Sequence, residues 1–327
     1  MDLSIIIVNW NSAGFLRNCL KSIYRAPRGF DFEVIVIDNA SFDGAHELVE
    51  QEFPRVKFIE SIFNLGFACA NNAAFEYSSG RNILFLNPDT EIPGSALETL
   101  VSTLDLHPTT GIAGGKLLNS DGSPQTSCVQ GFPTIWNQLV DAQLLRRVFP
   151  RAKAWGMRPL WKNDGAPADV EVVSGACLMI RRCVFEQVGR FSTAYFMYAE
   201  DADLCYKVKQ AGWAVTYVPN AEVVHHGGGS SAAQSQVAAV RMKQAVCDFI
   251  RLRQGSGHAA LYRITMAIAA SLRLLMLAAV LVFTAGRLRP GSLRTSAAKW
   301  ISVLRWALGL EARAGRQVQP EPRRVIA

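Results

Sequence analysis

Between residues 3 and 117 the chain repeats one unit: an apolar run rich in β-branched residues, a polar turn, then apolar residues three and four apart. Leu3–Val8 is the first run, and Phe15, Leu16, Cys19, Leu20 and Ile23 follow at helical spacing. Phe32–Ile37 leads into a helix at Ala45–Phe53, and Val56–Glu60 into one around Asn71–Tyr77. Asn82–Leu86 leads into one around Ser95–Leu106, and Ile112–Leu117 reads as a fifth strand. Parallel strands need a long crossover between them, and a helix supplies it. The alternation therefore predicts an α/β fold, a mostly parallel sheet with helices on both faces. In such sheets ligands bind outside the carboxyl ends of the strands. The polar clusters fall at those ends: Asn9, Asp38-Asn39, Asn64 and Asp89.

Residues 119–169 break the pattern with Pro, Gly and scattered Trp and Arg, and read as a long excursion over the active face. Order resumes with strands at Val170–Val173 and Cys177–Ile180, a helix from about Asp201 to Ala211, and strands at Ala214–Val218 and Ala221–Val224. With 327 residues, half of them hydrophobic and 19% charged, the chain has ample material for a core and is not disordered by composition. Its seven cysteines form no CxxC pair and mostly sit among apolar neighbours, as reduced core thiols of a cytoplasmic protein do. Leu3–Val8 is too short for the core of an export signal.

The net charge of +7 conceals a split. Residues 1–240 carry 19 Lys/Arg against 24 Asp/Glu, and residues 241–327 carry 15 against 3, so a −5 body precedes a +12 tail. Such a tail has an anionic partner. Its hydrophobicity points to an anionic membrane and away from nucleic acid. Ile264–Ala285 is long enough to span a bilayer. Arg273 stands near its centre, however, where a charge costs about 2.5–3.5 kcal/mol. Lys299–Leu310 sets Trp300, Ile301, Leu304 and Leu308 opposite Ser302, Arg305 and Gly309, the pattern of a basic, Trp-bearing interfacial helix. The expectation is a peripheral anchor rather than a span. Domains are drawn at 1–240 (a nucleotide-sugar half, 1–117, and an acceptor half, 118–240) and 241–327, the helical tail.

Five clusters carry chemistry. Asp38-Asn39 follows the second strand, where carboxylates and amides accept hydrogen bonds from a ribose or a pyrimidine imide; the same residues would serve a plain helix cap. Asn64-Leu65-Gly66-Phe67, with Asn71 and Asn72, surrounds a helix start with amides that suit a nucleotide or sugar. Asn87-Pro88-Asp89-Thr90-Glu91 holds a hard oxygen ligand just past a buried strand, as a metal that bridges a diphosphate needs. Glu200-Asp201-Ala202-Asp203 packs three acids into four positions between apolar flanks. Carboxylates crowded in a cleft raise one another's pKa, which suits a general base. His225-His226 ends a strand before a glycine-rich turn, a place for a metal or phosphate contact.

In order and spacing, the strand-end Asp38, Asn64-Leu65-Gly66-Phe67, Asn87-Pro88-Asp89, Glu200-Asp201 and His225-x-Gly-Gly-x-Ser230 resemble glycosyltransferase family 2. Within that family the chain looks most like the rhamnosyltransferase-type enzymes of bacterial surface-polysaccharide assembly. The resemblance runs from about Leu3 to Ser231 and implies the GT-A fold. By position it assigns Asn9, Asp38 and Asn39 to the donor nucleotide, and Asn64, Gly66, Phe67 and Asn72 to the donor pocket. Asp89 and His225 become metal ligands, for Mg²⁺ or Mn²⁺, and Asp201 the catalytic base with Glu200 beside it. Three departures stand out: Asp-Thr-Glu where the family often has two aspartates, Lys207 for a frequent Arg, and Ala74 for a frequent Gly.

The resemblance implies inverting transfer from a nucleoside-diphosphate sugar to a glycan or polyprenyl-diphosphate-linked acceptor, at the inner face of the cell membrane. Two other classes of protein fit the sequence less well. A sugar nucleotidyltransferase would need a glycine-rich basic loop after the first strand, and Asn9-Trp10-Asn11-Ser12 is not one. A non-catalytic membrane scaffold would account for the tail but not for the retained acids and histidine.

Overall fold

A computed structural model describes residues 1–25, 29–139, 165–227, 235–283 and 290–310. Part of the 119–169 excursion and the glycine-rich turn after His226 lie outside them.

The first half follows the alternation. Strands β1 (Leu3–Asn9), β2 (Phe32–Asn39), β3 (Lys57–Ser61) and β4 (Asn82–Leu86) pair in parallel, in the order β3-β2-β1-β4. β1 lies in the middle with Ile5, Ile6 and Ile7 all buried, which is why its sequence is continuously apolar rather than alternating. The crossovers are α1 (Ala13–Tyr24), α2 (Ala45–Glu52) and α3 (Gly66–Phe75). α1 buries Leu16, Cys19, Leu20 and Ile23, the helical stripe read in the sequence. The register places Asn9 opposite Asp38 and Asp38 opposite Glu60, so the polar strand ends lie side by side along one edge.

The second half extends the same sheet to nine strands. β5 (Thr90–Glu91) precedes α4 (Ala96–Leu106) and β6 (Thr110–Leu118). β7 (Val129–Gln130) and β9 (Val172–Val173) form a separate ribbon, and α5 (Ile135–Leu139) and β8 (Ala168–Asp169) lie between them in sequence. β10 (Cys177–Arg181) runs antiparallel between β4 and β6. The short α6 (Arg182–Gln187) follows, then α7 (Glu200–Gln210). β11 (Ala214–His225) pairs in parallel with β6 and antiparallel with β5 and β8. The sheet is therefore mixed beyond β4. The two strands expected at Ala214–Val218 and Ala221–Val224 are one strand, its register slipping between Val218 and Glu222, around Pro219. Proline cannot donate to a ladder, so the strand bulges there and resumes.

The halves share one core. Phe75, Phe85, Phe185 and Phe191 pack edge to face or tilted, with ring centroids 4.7 to 5.5 Å apart. Arg182 and Arg190 cap the Phe75 ring at 4.7 and 4.8 Å.

Among the described residues three helices follow the sheet: α8 (Ser235–Gln254), α9 (Ser256–Phe283) and α10 (Pro290–Ala307). The boundary drawn at residue 240 falls inside α8. That helix packs on the body, with Phe249 stacked on Phe132 at 6.3 Å and edge-on to Tyr206 at 5.9 Å. α9 and α10 pack against one another and against α8. Tyr262 meets Trp306, whose indole N–H donates to Gln244 of α8 at 2.8 Å, and Arg263 donates to the Trp306 carbonyl at 2.6 Å. Arg273 lies over the Trp300 ring at 4.2 Å, so it faces α10.

Candidate active site

The carboxyl ends of β1 and β2 form the floor. Asn9 is fully buried and donates from Nδ2 to Asp38 at 2.7 Å and to Ser41 at 3.3 Å. The second Asp38 oxygen accepts the Ser41 backbone N–H at 2.8 Å. Asn39 donates to the Asn64 side chain at 2.9 Å and accepts the Leu65 N–H at 2.7 Å, and Asn64 in turn accepts the Gly66 N–H at 3.0 Å. These amides bind one another before they bind anything else, which rigidifies the wall of the cleft. Gly66 has φ +75°, and a Cβ there would stand 2.3 Å from the Phe196 carbonyl oxygen. Glycine is required on both counts. The close approach lets Phe67 N–H reach that carbonyl at 2.9 Å, tying the donor side to the segment before α7.

The second corner is built by β5 pairing with the end of β11, Thr90 opposite His225. That pairing brings Asp89 and His225 together, Oδ1 to Nε2 at 3.3 Å, both mostly buried at 14% and 17% side-chain exposure. Gln125 grips His225 with both ends of its amide: Nε2 donates to the His225 carbonyl at 2.6 Å, and Oε1 faces Nδ1 at 2.9 Å. Oε1 can only accept, so Nδ1 carries a hydrogen. Glu91, two residues on, turns away and meets His226 at 2.9 Å.

The third corner is the start of α7. The turn before it holds Tyr198 and Ala199 at φ +73° and +63°. Such non-glycine residues cost about 1–3 kcal/mol each and persist only where their surroundings over-determine them. The turn points Glu200 and Asp201 inward. Asp201 accepts the Gly175 N–H at 3.0 Å and the Ala202 N–H at 2.7 Å, one on each oxygen. Burial raises its pKa, and those two bonds oppose the rise. Glu200 has less relief: burial, then the Asp201 charge, push its carboxyl up to about 8 against a single opposing backbone hydrogen bond, and its Oε2 is buried without a hydrogen-bond partner. The two adjacent acids thus meet different surroundings: Asp201 is held by two backbone N–H groups, and Glu200 is pushed up by burial and by the Asp201 charge.

One cleft of about 510 Å³ joins these corners. Of the residues singled out in the sequence, Asn39, Asn64, Gly66, Phe67, Asp89, Glu200, Asp201 and His225 line it. Asn9 and Asp38 lie behind the wall and brace it. Asn72 does not line the cleft. Its amide clamps the Phe191 backbone, donating at 2.9 Å and accepting at 3.1 Å, so its expected place in the donor pocket is corrected to a brace between the halves. Lys207, at the frequent Arg position, donates to the Arg190 carbonyl. Several wall residues escaped the sequence reading: Trp10 and Ser12 after β1, Gln130 and Asn137 from the described part of the excursion, and Met242 and Val246 from α8. Trp10 and Ser12 stand in a strand-end turn and could have been found by that signal. The α8 pair could not, because nothing local in a tail helix says that it walls a cleft.

The sequence model of Glycosyl transferase family 2 matches residues 4–189. The chain is 29% identical over 240 residues, 70% of its length and 77% of the relative's, to an N-acetylglucosaminyl-diphospho-decaprenol L-rhamnosyltransferase of Mycobacterium tuberculosis. It is 28% identical over 231 residues (69% of this chain, 67% of the relative) to the low-salt glycan biosynthesis hexosyltransferase Agl10 of Haloferax volcanii. Among solved structures it is similar to the mannosyltransferase PcManGT of Pyrobaculum calidifontis in complex with GDP-Man and Mn²⁺. That likeness has a TM-score of 0.57 at 18% identity and covers 94% of this chain and 86% of the other. The sheet order, the cleft at the strand ends and these likenesses agree: the chain has the GT-A fold and belongs to glycosyl transferase family 2, as a glycosyltransferase.

Proposed function

We propose that the protein transfers a sugar, with inversion, from a nucleoside-diphosphate donor to a hydroxyl of a polyprenyl-diphosphate-linked or glycan acceptor, using a divalent cation. One observation carries the proposal: Asp89, His225 and Asp201 line one cleft, so a diphosphate held at the first two and an acceptor hydroxyl at the third would meet within it. A rhamnosyl donor is favoured by the mycobacterial relative, whose name also supplies the lipid-diphosphate acceptor class.

The cation fits the residues present. Gln125 fixes the ring so that His225 Nε2 faces the Asp89 carboxylate 3.3 Å away, and these two atoms would hold one cation between them. One carboxylate and one imidazole suit Mn²⁺ or Mg²⁺. Among the described residues no third His, Cys, Asp or Glu joins them, which leaves positions for diphosphate oxygens. Bound there, the cation would neutralise charge on the departing diphosphate.

The chain's own residues do the rest. Asp201 accepts the acceptor hydroxyl's proton as that oxygen bonds to the anomeric carbon, and the bond to the diphosphate oxygen breaks on the opposite face. A single displacement inverts the configuration. Nucleotide-sugar turnover with Mn²⁺, Mg²⁺ or excess chelator, with NMR assignment of the product anomer, tests the reading. Full activity in excess chelator overturns the metal, and retention of configuration overturns the mechanism. Asp89→Ala and His225→Ala should each raise the cation concentration needed for half-maximal rate.

We further place the protein against the inner face of the membrane, with α9 and α10 as the anchor and the catalytic unit running through α8. Leu261, Ile264, Ile268, Leu272 and Leu275 are exposed at steps of three and four, one apolar stripe along α9. Tyr262, Met266 and Ala270 on the other side of α9 are buried. A helix with one face packed on protein and the other apolar and open suits a position in the interface plane.

A further inference from the structure

We propose that Arg253, on α8, is a positioning residue for sugar transfer: by clasping the buried Asp203 carboxylate it fixes the start of α7 and the Asp201 base carried there. The proposal rests on the reading of Asp201 as proton acceptor.

Asp203 is fully buried and is the knot of this region. Its Oδ1 accepts Arg253 Nε at 2.7 Å and Nη2 at 2.6 Å, and the Tyr195 hydroxyl at 3.1 Å. Its Oδ2 accepts the Ser192 hydroxyl at 2.5 Å, and its backbone N–H donates to the Ala199 carbonyl at 2.9 Å. Asp203 therefore holds both sides of the left-handed turn at Tyr198 and Ala199 that presents Glu200 and Asp201 to the cleft. Removing one partner of a buried ion pair leaves an uncompensated charge, so this knot depends on its cation.

That cation comes from 50 residues downstream. Met242, Val246, Phe249 and Arg253 recur at steps of four, three and four, so they form one stripe of α8. The first two line the cleft, Phe249 packs on Phe132 and Tyr206, and Arg253 ends the stripe at Asp203 with its guanidinium 5.3 Å from the Tyr206 ring. A helix that served only as a tail connector would have no reason to carry a charge into the body. Here the same face reaches both the cleft wall and the residue two places beyond the base.

The ionisable groups around this point are few. Tyr195, Lys207 and Arg253 face Asp203, and Asp248, itself paired with Arg251, lies on the α8 side. Glu200 and Cys205 neighbour Asp201. With Arg253 gone, the buried Asp203 carboxylate keeps its Ser192 and Tyr195 partners but loses its cation, and the turn that presents Asp201 loses its clasp.

The test compares full-length wild type, Arg253→Met, Arg253→Lys and the double variant Asp203→Asn/Arg253→Met, with Asp201→Asn as control. Each is measured for kcat, donor KM, pH profile and thermal midpoint. Arg253→Met should lose about 10–100-fold in kcat, as misplaced catalytic groups do, with donor KM within about twofold. Arg253→Lys, which keeps the charge but not the two-pronged donation to Asp203, should fall between wild type and Arg253→Met in kcat. The double variant should recover thermal midpoint over Arg253→Met while kcat remains about tenfold low, because charge balance is restored but the clasp is not. A folded Arg253→Met with wild-type kcat overturns the proposal. So does a loss of kcat that tracks only the unfolded fraction. If Arg253→Met does not fold, the double variant decides: wild-type kcat overturns the clasp, and a tenfold loss at unchanged donor KM supports it. An active Asp201→Asn sinks the base assignment, whereas an inactive Asp201→Asn beside a fully active Arg253→Met sinks the clasp alone.

Discussion

Glu200 and Asp201 are adjacent in the chain, yet only Asp201 receives a backbone N–H on each carboxylate oxygen. Asp201→Asn keeps the shape and removes the proton acceptor, so transfer should fall by about 10²–10⁴-fold with donor binding little changed. Near-normal turnover would move the role to Glu200. For Glu200 the sign of the pH effect is set by its raised pKa. The folded state holds its proton more tightly than the unfolded chain, whose value is 4.5 against about 8 when folded. Its stabilising contribution is complete below about 4.5 and is lost as pH rises through about 8. Glu200→Gln should therefore gain in thermal midpoint over wild type as pH climbs through that window, and not below it. Parallel midpoint curves would refute this. At this scale much of the cleft was legible, because Asp89, Asp201 and His225 stand at element ends where the fold pattern puts function. Gln125 was not, since a lone glutamine in an irregular stretch gives no sign that it grips a histidine 100 residues away. Asn72 misled for a related reason: an exposed-looking amide beside a binding motif serves a backbone across the core.

Among the elements, α3 shows how a glycine fixes two halves together. Gly66 opens the helix at positive φ directly against the Phe196 carbonyl. Gly66→Ala should destabilise the protein by about 1–3 kcal/mol from backbone conformation alone, with the clash at Phe196 added. Chemical denaturation would measure it, and an unchanged midpoint would show that the approach can relax. Because the 196–199 segment leads into α7, turnover should fall as well, even where folding is restored by lower temperature. The long periodic elements were legible, and the short ones were not. β5 has two residues, too few to show a period, yet its pairing with β11 is what brings Asp89 to His225. β11 looked like two strands because Pro219 interrupts it, and only the neighbouring β6 shows that the ladder resumes beyond the bulge.

Across the whole molecule, charge and hydrophobicity divide the chain in a way that single elements do not reveal. The −5 body and +12 tail were visible by counting, but the position of the boundary was not, since α8 is as basic as the tail and packs as part of the body. Cleavage of function from anchoring should therefore succeed after about residue 255, which keeps the α8 stripe and removes the α9–α10 pair. The truncated chain should retain metal-dependent donor hydrolysis and lose transfer to an acceptor embedded in membrane. Each Lys or Arg near an anionic surface contributes about 1 kcal/mol, and the open stripe on α9 adds apolar burial. Full-length protein should then sediment with anionic vesicles at low salt and loosen in high salt or alkaline carbonate. The α9 stretch is long and apolar enough to cross a bilayer by length and composition, so the opposing outcome is specific. Arg273 favours the peripheral anchor on physical grounds. Against Trp300 it is shared between two helices, an arrangement that a solitary spanning α9 would have to give up at the depth where charge is most costly. Protein released only by detergent would show that α9 leaves α10 and spans. Protein that stays in solution beside anionic vesicles at low salt would remove the anchor altogether.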